Sequence, residues 1–259
     1  MTALAVTLAA ILGLLVGSFL NVVIWRVPRG ESVVRPPSHC PGCDRPLRPR
    51  DNVPLLSWLL LRGRCRDCGT RISIRYPLVE CGTSLLFALV ALRVGTHAAL
   101  PGFLYLAAVG LALAVIDFDT RRLPNVLTLP SYGVGLALLG AAAVVDCEPG
   151  RLVRGVEAMA ALYAFYFVLW YATRGRGIGF GDVKLAGVLG LYLGWLGWPE
   201  LLVGAFAAHL LGGGVAVGLL ARGRAGRKTS VPFGPFLVAG AMVAVLAGAP
   251  VARVWLRTG

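Results

Sequence analysis

Apolar positions along this chain fall in long runs rather than in alternation. The first, about Ala3–Trp25, carries no charged residue before Arg26, Pro28 and Arg29 end it. Seven more follow at about Leu78–Val94, Leu100–Ile116, Leu123–Val145, Val153–Tyr171, Val183–Trp198, Leu201–Leu220 and Phe233–Val251. Each holds ~16 to 23 residues, near the ~20 a helix needs to span a bilayer. In lipid every backbone polar group must be satisfied internally, and separate runs do that as helices rather than as a closed barrel. The pattern therefore predicts an all-α polytopic membrane protein with about eight transmembrane helices. The opening run lacks a basic start and a small-residue cleavage site, so it reads as a retained helix and not as a signal peptide.

One sizeable polar stretch interrupts the runs. Residues 26–75 contain prolines at 28, 36, 37, 41, 46, 49 and 54 and eleven arginines against Glu31, Asp44, Asp51 and Asp67. This predicts a small folded insert between the first two helices. The expected organisation is a first transmembrane helix at 1–25, the insert at 26–75 and a seven-helix membrane domain at 76–259.

Composition sharpens this picture. The 259 residues are 57% hydrophobic and 14% charged, with a mean hydropathy of +0.76. Soluble domains carry about a quarter charged residues. The net charge of +13 invites a nucleic-acid reading, but loop distribution explains it better. If the insert is cytoplasmic, the same side receives Arg121, Arg122, Arg174, Arg176, Lys184, Arg222, Arg224, Arg227 and Lys228. That side then holds 20 of the 25 basic residues, as the positive-inside rule requires. The expectation is a lipid-embedded chain with external termini and no nucleic-acid partner; nothing specifies an oligomeric state.

Four of the six cysteines form Cys40-Pro41-Gly42-Cys43 and Cys65-Arg66-Asp67-Cys68, with 21 residues between the pairs. Two such knuckles offer four thiolates, which suit a closed tetrahedral zinc site of structural type. Metal binding would supply folding energy to an insert whose apolar residues are few. Disulfides or free thiols are the alternative, and a reducing compartment argues against disulfides. His39 is a lesser alternative ligand. Trp58 and its leucines predict either an interfacial segment or the insert's own hydrophobic contact. Cys81 and Cys147 are expected to be buried or free thiols.

The acids inside apolar surroundings carry the candidate chemistry, because ionisable groups there are costly. Asp117 ends the third run. Asp182 opens the sixth, in Gly177-Ile178-Gly179-Phe180-Gly181-Asp182-Val183-Lys184. The charge count places both at the cytoplasmic ends of their helices. Two facing carboxylates cannot both ionise easily, so one retains a proton, and such a pair can act as base and acid in peptide hydrolysis. Ordinary ion pairs are the open alternative: Asp117 or Asp119 with Arg121 or Arg122, and Asp182 with Lys184. Asp117 and Asp119 are two apart and so point to different sides of a helix. Glu80 reads as a cap or a substrate contact. Gly179 and Gly181 are expected to permit a kink or break that brings Asp182 toward Asp117.

Taken together, the motifs resemble those of the bacterial prepilin peptidases, the type IV leader peptidases. The amino-terminal match is Gly17-Ser18-Phe19-Leu20-Asn21-Val22-Val23-Ile24-Trp25-Arg26-Val27-Pro28, Ser38-His39-Cys40-Pro41-Gly42-Cys43, Asp51-Asn52-Val53-Pro54, the second cysteine pair, and Arg75-Tyr76-Pro77-Leu78-Val79-Glu80. Ile116-Asp117-Phe118-Asp119, Gly179-Phe180-Gly181-Asp182 and Pro232-Phe233-Gly234-Pro235-Phe236 complete it. The resemblance implies catalytic Asp117 and Asp182, with Gly179, Gly181, Lys184 and Asp119 in support. It implies cleavage of prepilin or pseudopilin leaders after a glycine, at the cytoplasmic face of the inner membrane. It also implies a second activity, N-methylation of the new terminus by S-adenosylmethionine. Two rivals from the residues alone are a transporter or channel using Asp117 and Asp182 as an ion path, and a methyltransferase with a decayed protease site. The intact aspartates speak against the latter.

Overall fold

The computed structural model describes residues 2–222 and 232–258. The basic positions Arg224, Arg227 and Lys228, expected in a cytoplasmic loop, lie outside the described residues. Those described are helical, with isolated bridges in place of strands. Eight long helices occur among them: α1 (Thr2–Arg26), α3 (Arg75–Val94), α4 (Leu100–Thr120), α5 (Asn125–Val145), α6 (Pro149–Ala172), α7 (Phe180–Leu196), α8 (Trp198–Ala221) and α9 (Gly234–Thr258). A short α2 (Leu56–Leu60) lies in the insert.

Six of the helices are long and apolar enough to cross a membrane by length and composition: α1 and α3–α6 together with α8. Their exposed faces carry Leu8, Leu15, Leu85, Leu202 and Phe206, each at least 57% exposed. Such faces would be anomalous in water and are ordinary against lipid chains. The chain is an integral membrane protein.

The chain divides into two units, residues 1–96 and 97–259. In the first, α1 and α3 pack along each other. Ser84 Oγ donates to Ala10 O at 2.9 Å, and Asn21 Nδ2 donates to Tyr76 O at 3.1 Å. The pairings 10 with 84 and 21 with 76 show the helices running antiparallel. The insert folds between their ends.

In the second unit α7 is the centre. Thirteen of its 17 residues are buried, from Asp182 through Trp195 apart from Lys184. A helix apolar on all sides belongs in an interior. Its 17 residues span roughly 26 Å, slightly short of a ~30 Å hydrocarbon core. Helices α5, α6, α8 and α9 pack against it. The backbone of α6 approaches it closely: a Cβ on Gly190 would stand 2.6 Å from Ala158 O. Gly197 separates α7 from α8, so Trp198 opens α8 rather than closing the sixth apolar run.

Candidate active site and metal centre

The two cysteine pairs build the insert. Each forms the same turn. Cys40 N donates to Arg45 O and Asp44 N to Cys40 O; likewise Cys65 N donates to Thr70 O and Gly69 N to Cys65 O. The residue after each second cysteine is left-handed, Asp44 at φ 59° and Gly69 at φ 71°. An isolated antiparallel bridge closes each knuckle, His39 with Pro46 and Arg64 with Arg71. The turns bring Cys40, Cys43, Cys65 and Cys68 together, with all four Sγ atoms within 4.8 Å. Cys40 Sγ and Cys68 Sγ are 3.7 Å apart. A tetrahedron of thiolates at ~2.3 Å from zinc has edges of about 3.8 Å. The donor set and its spacing fit a metal.

The thiols also bias one another. Thr70's hydroxyl, 3.2 Å from Cys68 Sγ, and its backbone N–H bring the Cys68 thiol down to about 6. At Cys43 the backbone N–H of Arg45 works in the same direction, but burial and the other three thiols prevail and push it up to about 12. One thiolate forms at its neighbours' expense; a bound dication would draw all four down. His39 is not in the cluster: its Nδ1 is 3.2 Å from Pro37 O and its Nε2 3.6 Å from Asp44.

Around the thiols the insert is tied by polar contacts. Asp51 receives Arg66 Nε at 2.9 Å and Nη2 at 2.7 Å, and that guanidinium holds the carboxyl below the usual carboxylate range. Glu80, buried on α3, accepts the Leu55 N–H at 2.8 Å and so fixes the start of α2. Its visible task is this anchoring. Trp58 Nε1 donates to Ile72 O at 3.2 Å, which places the tryptophan within the insert, while Leu56, Leu59 and Leu60 are exposed. Cys81 and Cys147 are free thiols, the second of the two expected states, and both are exposed.

The second unit holds the carboxylates. Asp117 lies in the last turn of α4 and is 5% exposed; Asp182 lies in the first turn of α7 and is 7% exposed. Their charges are close enough to act on each other. Each has one oxygen held by a backbone N–H. Gly234 N donates to Asp117 Oδ2 at 3.0 Å, and Gly179 N donates to Asp182 Oδ2 at 3.0 Å. The second is a helix N-cap: Asp182 N returns the bond to Gly179 O, and a carboxylate is favoured at the positive end of the helix dipole.

Glycine serves close approach here. A Cβ on Gly234 would stand 2.7 Å from Asp117 Oδ2, and one on Gly181 would stand 3.0 Å from Leu123 Cβ. The expected kink at Gly179 is a helix start: Gly179 is extended, with φ −75° and ψ 150°, and α7 runs on from Phe180. Lys184 Nζ donates to Asn125 Oδ1 at 2.9 Å and lies 4.9 Å from the Phe180 ring. It thereby ties the start of α7 to the start of α5. Asp119, two residues beyond Asp117, is exposed.

Two contributors escaped the reading of residues. Gly234 was visible only through motif resemblance, since a backbone donor leaves no side-chain signal. Tyr166, fully buried on α6 and within reach of Asp182's charge, is one aromatic in a row of aromatics.

Fold and site thus define an integral membrane protein with a paired-carboxylate centre in its helices and a four-thiol cluster in its insert. Residues 11–94 match the family model described as the bacterial peptidase A24 N-terminal domain, and residues 104–217 match that of the type IV leader peptidase family. The chain is 37% identical over 265 residues to a prepilin leader peptidase/N-methyltransferase of Pseudomonas putida, covering 94% of this chain and 91% of that one. It is 40% identical to the protein of the same description from Neisseria gonorrhoeae, over 90% and 87% of the two chains. It is 39% identical to a type 4 prepilin-like proteins leader peptide-processing enzyme of Escherichia coli O78:H11, over 92% of each. No solved structure matches. The chain belongs to the type IV leader peptidase family.

Proposed function

We propose that this protein is a membrane aspartic endopeptidase that removes the leader from type IV prepilins or pseudopilins and then methylates the new amino terminus. The observation that carries the peptidase reading is the pair itself. Asp117 and Asp182 are buried on different helices, each has one oxygen held by a backbone N–H, and their charges interact. Two buried carboxyls that act on each other favour one shared proton.

The chemistry follows from that state. The ionised carboxylate takes a proton from water as the water oxygen adds to the scissile carbonyl carbon. The protonated carboxyl gives its proton to the carbonyl oxygen, forming a neutral gem-diol. Collapse then breaks the C–N bond as the amine nitrogen takes up a proton from the dyad and a hydroxyl proton returns to it. The backbone donors Gly234 and Gly179 keep each carboxyl oriented throughout. Gly181 and Lys184 position the first turn of α7 through Leu123 and Asn125; Asp119 supports the end of α4 from outside the dyad.

The cluster of Cys40, Cys43, Cys65 and Cys68 holds zinc as a closed, structural site. S-adenosylmethionine would supply the methyl group for the second activity; the relatives' descriptions name an N-methyltransferase. The protein sits in the bacterial inner membrane with the insert and Asp117 and Asp182 toward the cytoplasm. This orientation rests on the distribution of basic residues. It meets a substrate whose basic leader stays cytoplasmic and whose helix lies in lipid.

The test is incubation of the purified protein with a prepilin in detergent or lipid. Wild type should release the leader. Asp117→Ala and Asp182→Ala should each lose about 10³-fold or more in rate, given what acid–base groups contribute. Processing that persists in either variant would sink the assignment, and mass spectrometry of the product reads methylation separately.

A further inference from the structure

Tyr166 is fully buried on α6, and its hydroxyl has no hydrogen-bond partner among the described residues. A phenol is a donor as well as an acceptor. Leaving it unpaired in an interior is costly, so such a group calls for an explanation. Tyr192 has the same defect, but its hydroxyl feels another tyrosine, Tyr105, and no carboxylate. Tyr166 differs because the charge of Asp182 reaches its hydroxyl.

The ring is held by its neighbours. It stacks on His209 at 5.7 Å and 17°, meets Phe165 edge-on at 5.3 Å and 89°, and lies 6.2 Å from Phe233. Phe233 directly precedes Gly234, whose N–H holds Asp117. One side chain thus packs against the segment that positions Asp117 while its polar end senses Asp182. The hydroxyl is within electrostatic reach of Asp182 and yet not bonded to it. Its hydrogen-bonding capacity is therefore unused among the described residues.

Building on the peptidase reading of Asp117 and Asp182, we propose that the Tyr166 hydroxyl donates a hydrogen bond to the scissile carbonyl oxygen of the substrate as water adds to it. Negative charge develops on that oxygen before the protonated carboxyl neutralises it. A donor already in place there lowers the barrier without reorganisation. The phenol keeps its proton, so proton transfer remains with the two carboxyls. The unpaired hydroxyl of the free enzyme is then a donor reserved for the substrate.

The experiment compares wild type, Tyr166→Phe and Tyr166→Leu as full-length protein with a prepilin, reading kcat, KM and melting temperature. Tyr166→Phe keeps the ring against His209 and Phe233 and deletes one oxygen. Its kcat should fall about 10²-fold, the loss typical of one such donor, with little change in KM and an unchanged or higher melting temperature. Tyr166→Leu should lose melting temperature as well, because it also empties the aromatic cluster. A wild-type kcat in Tyr166→Phe overturns the proposal, as does a loss confined to KM or one that merely tracks a lower melting temperature. If wild type itself releases no leader, the peptidase reading fails and the role falls with it. If wild type and Tyr166→Phe cleave equally, only the role of the tyrosine fails.

Discussion

Two acids of the insert, Asp51 and Asp67, meet arginines, whereas the two buried acids described in the helical unit, Asp117 and Asp182, meet backbone amides. Asp51 takes two bonds from Arg66, and Asp67 lies 3.4 Å from Arg48 and 3.6 Å from Arg45. These charges are neutralised by partners of opposite sign whose guanidinium groups reach solvent, and a solvent-screened ion pair contributes modestly. Asp117 and Asp182 are given Gly234 N–H and Gly179 N–H instead. A neutral amide orients a carboxyl without fixing its ionisation, so each acid can still exchange a proton. An arginine in the same place would have held it permanently ionised. The difference separates carboxylates fixed by ion pairs from carboxyls oriented by amides, which on the proposed reading are the ones that exchange protons.

The largest expected effect lies on the structural side. The insert has a small core, so Cys40→Ser/Cys43→Ser should abolish metal binding and unfold it. Structural zinc in small modules is worth on the order of 10–16 kcal/mol. Elemental analysis should find the metal lost from the variant, with rapid proteolysis of residues 26–75. Unchanged metal content would remove the four-thiol site. Leader cleavage gives a companion readout of whether the helical unit survives that loss.

A subtler break in the comparison is Gly234→Ala. The new methyl would stand 2.7 Å from Asp117 Oδ2, so the carboxyl must turn or α9 must shift. We expect a fall in kcat of roughly 10- to 100-fold, because misplacing a reacting group by about 1 Å costs on that order. The melting temperature should change far less. Wild-type kcat in this variant would show that the amide of Gly234 does not orient Asp117.

The smallest effect belongs to Arg66→Gln. Arg66 holds the Asp51 carboxyl below its ordinary value of 3.8. The unfolded chain therefore binds a proton more readily than the folded one. The contribution of the pair is present above the ordinary value and lost as pH falls through the lowered one. Arg66→Gln should melt slightly below wild type at pH 7, and the two curves should converge below 3.8. A gap that stays constant through acid would mean that the pair contributes by packing and not by charge.

Much of this arrangement was legible in the chain. Eight apolar runs gave eight long helices, because a run of that length has one economical way to satisfy its backbone in lipid. The Cys-x-x-Cys spacing gave the thiol cluster, because a knuckle is local and its turn is encoded within a few residues. Asp117 and Asp182 were recognisable as costly acids near helix ends. Their competing ion-pair reading was not separable by residue type. Lys184 was an open partner for Asp182, and the folded chain gives it Asn125 instead.

Sequence alone determined where the long helices lie, which cysteines could meet, and which acids stand in apolar surroundings. These follow from periodicity, spacing and the cost of burying charge. The tertiary structure decided what each acid touches. It brought Gly234 from the start of α9 to Asp117 across 117 positions of the chain, and it placed the Tyr166 ring against Phe233 and within reach of Asp182. A backbone N–H is the same group at nearly every residue, and a tyrosine in an apolar helix looks like any other aromatic. Such groups gain a role only from the packing of distant helices, which no local pattern records.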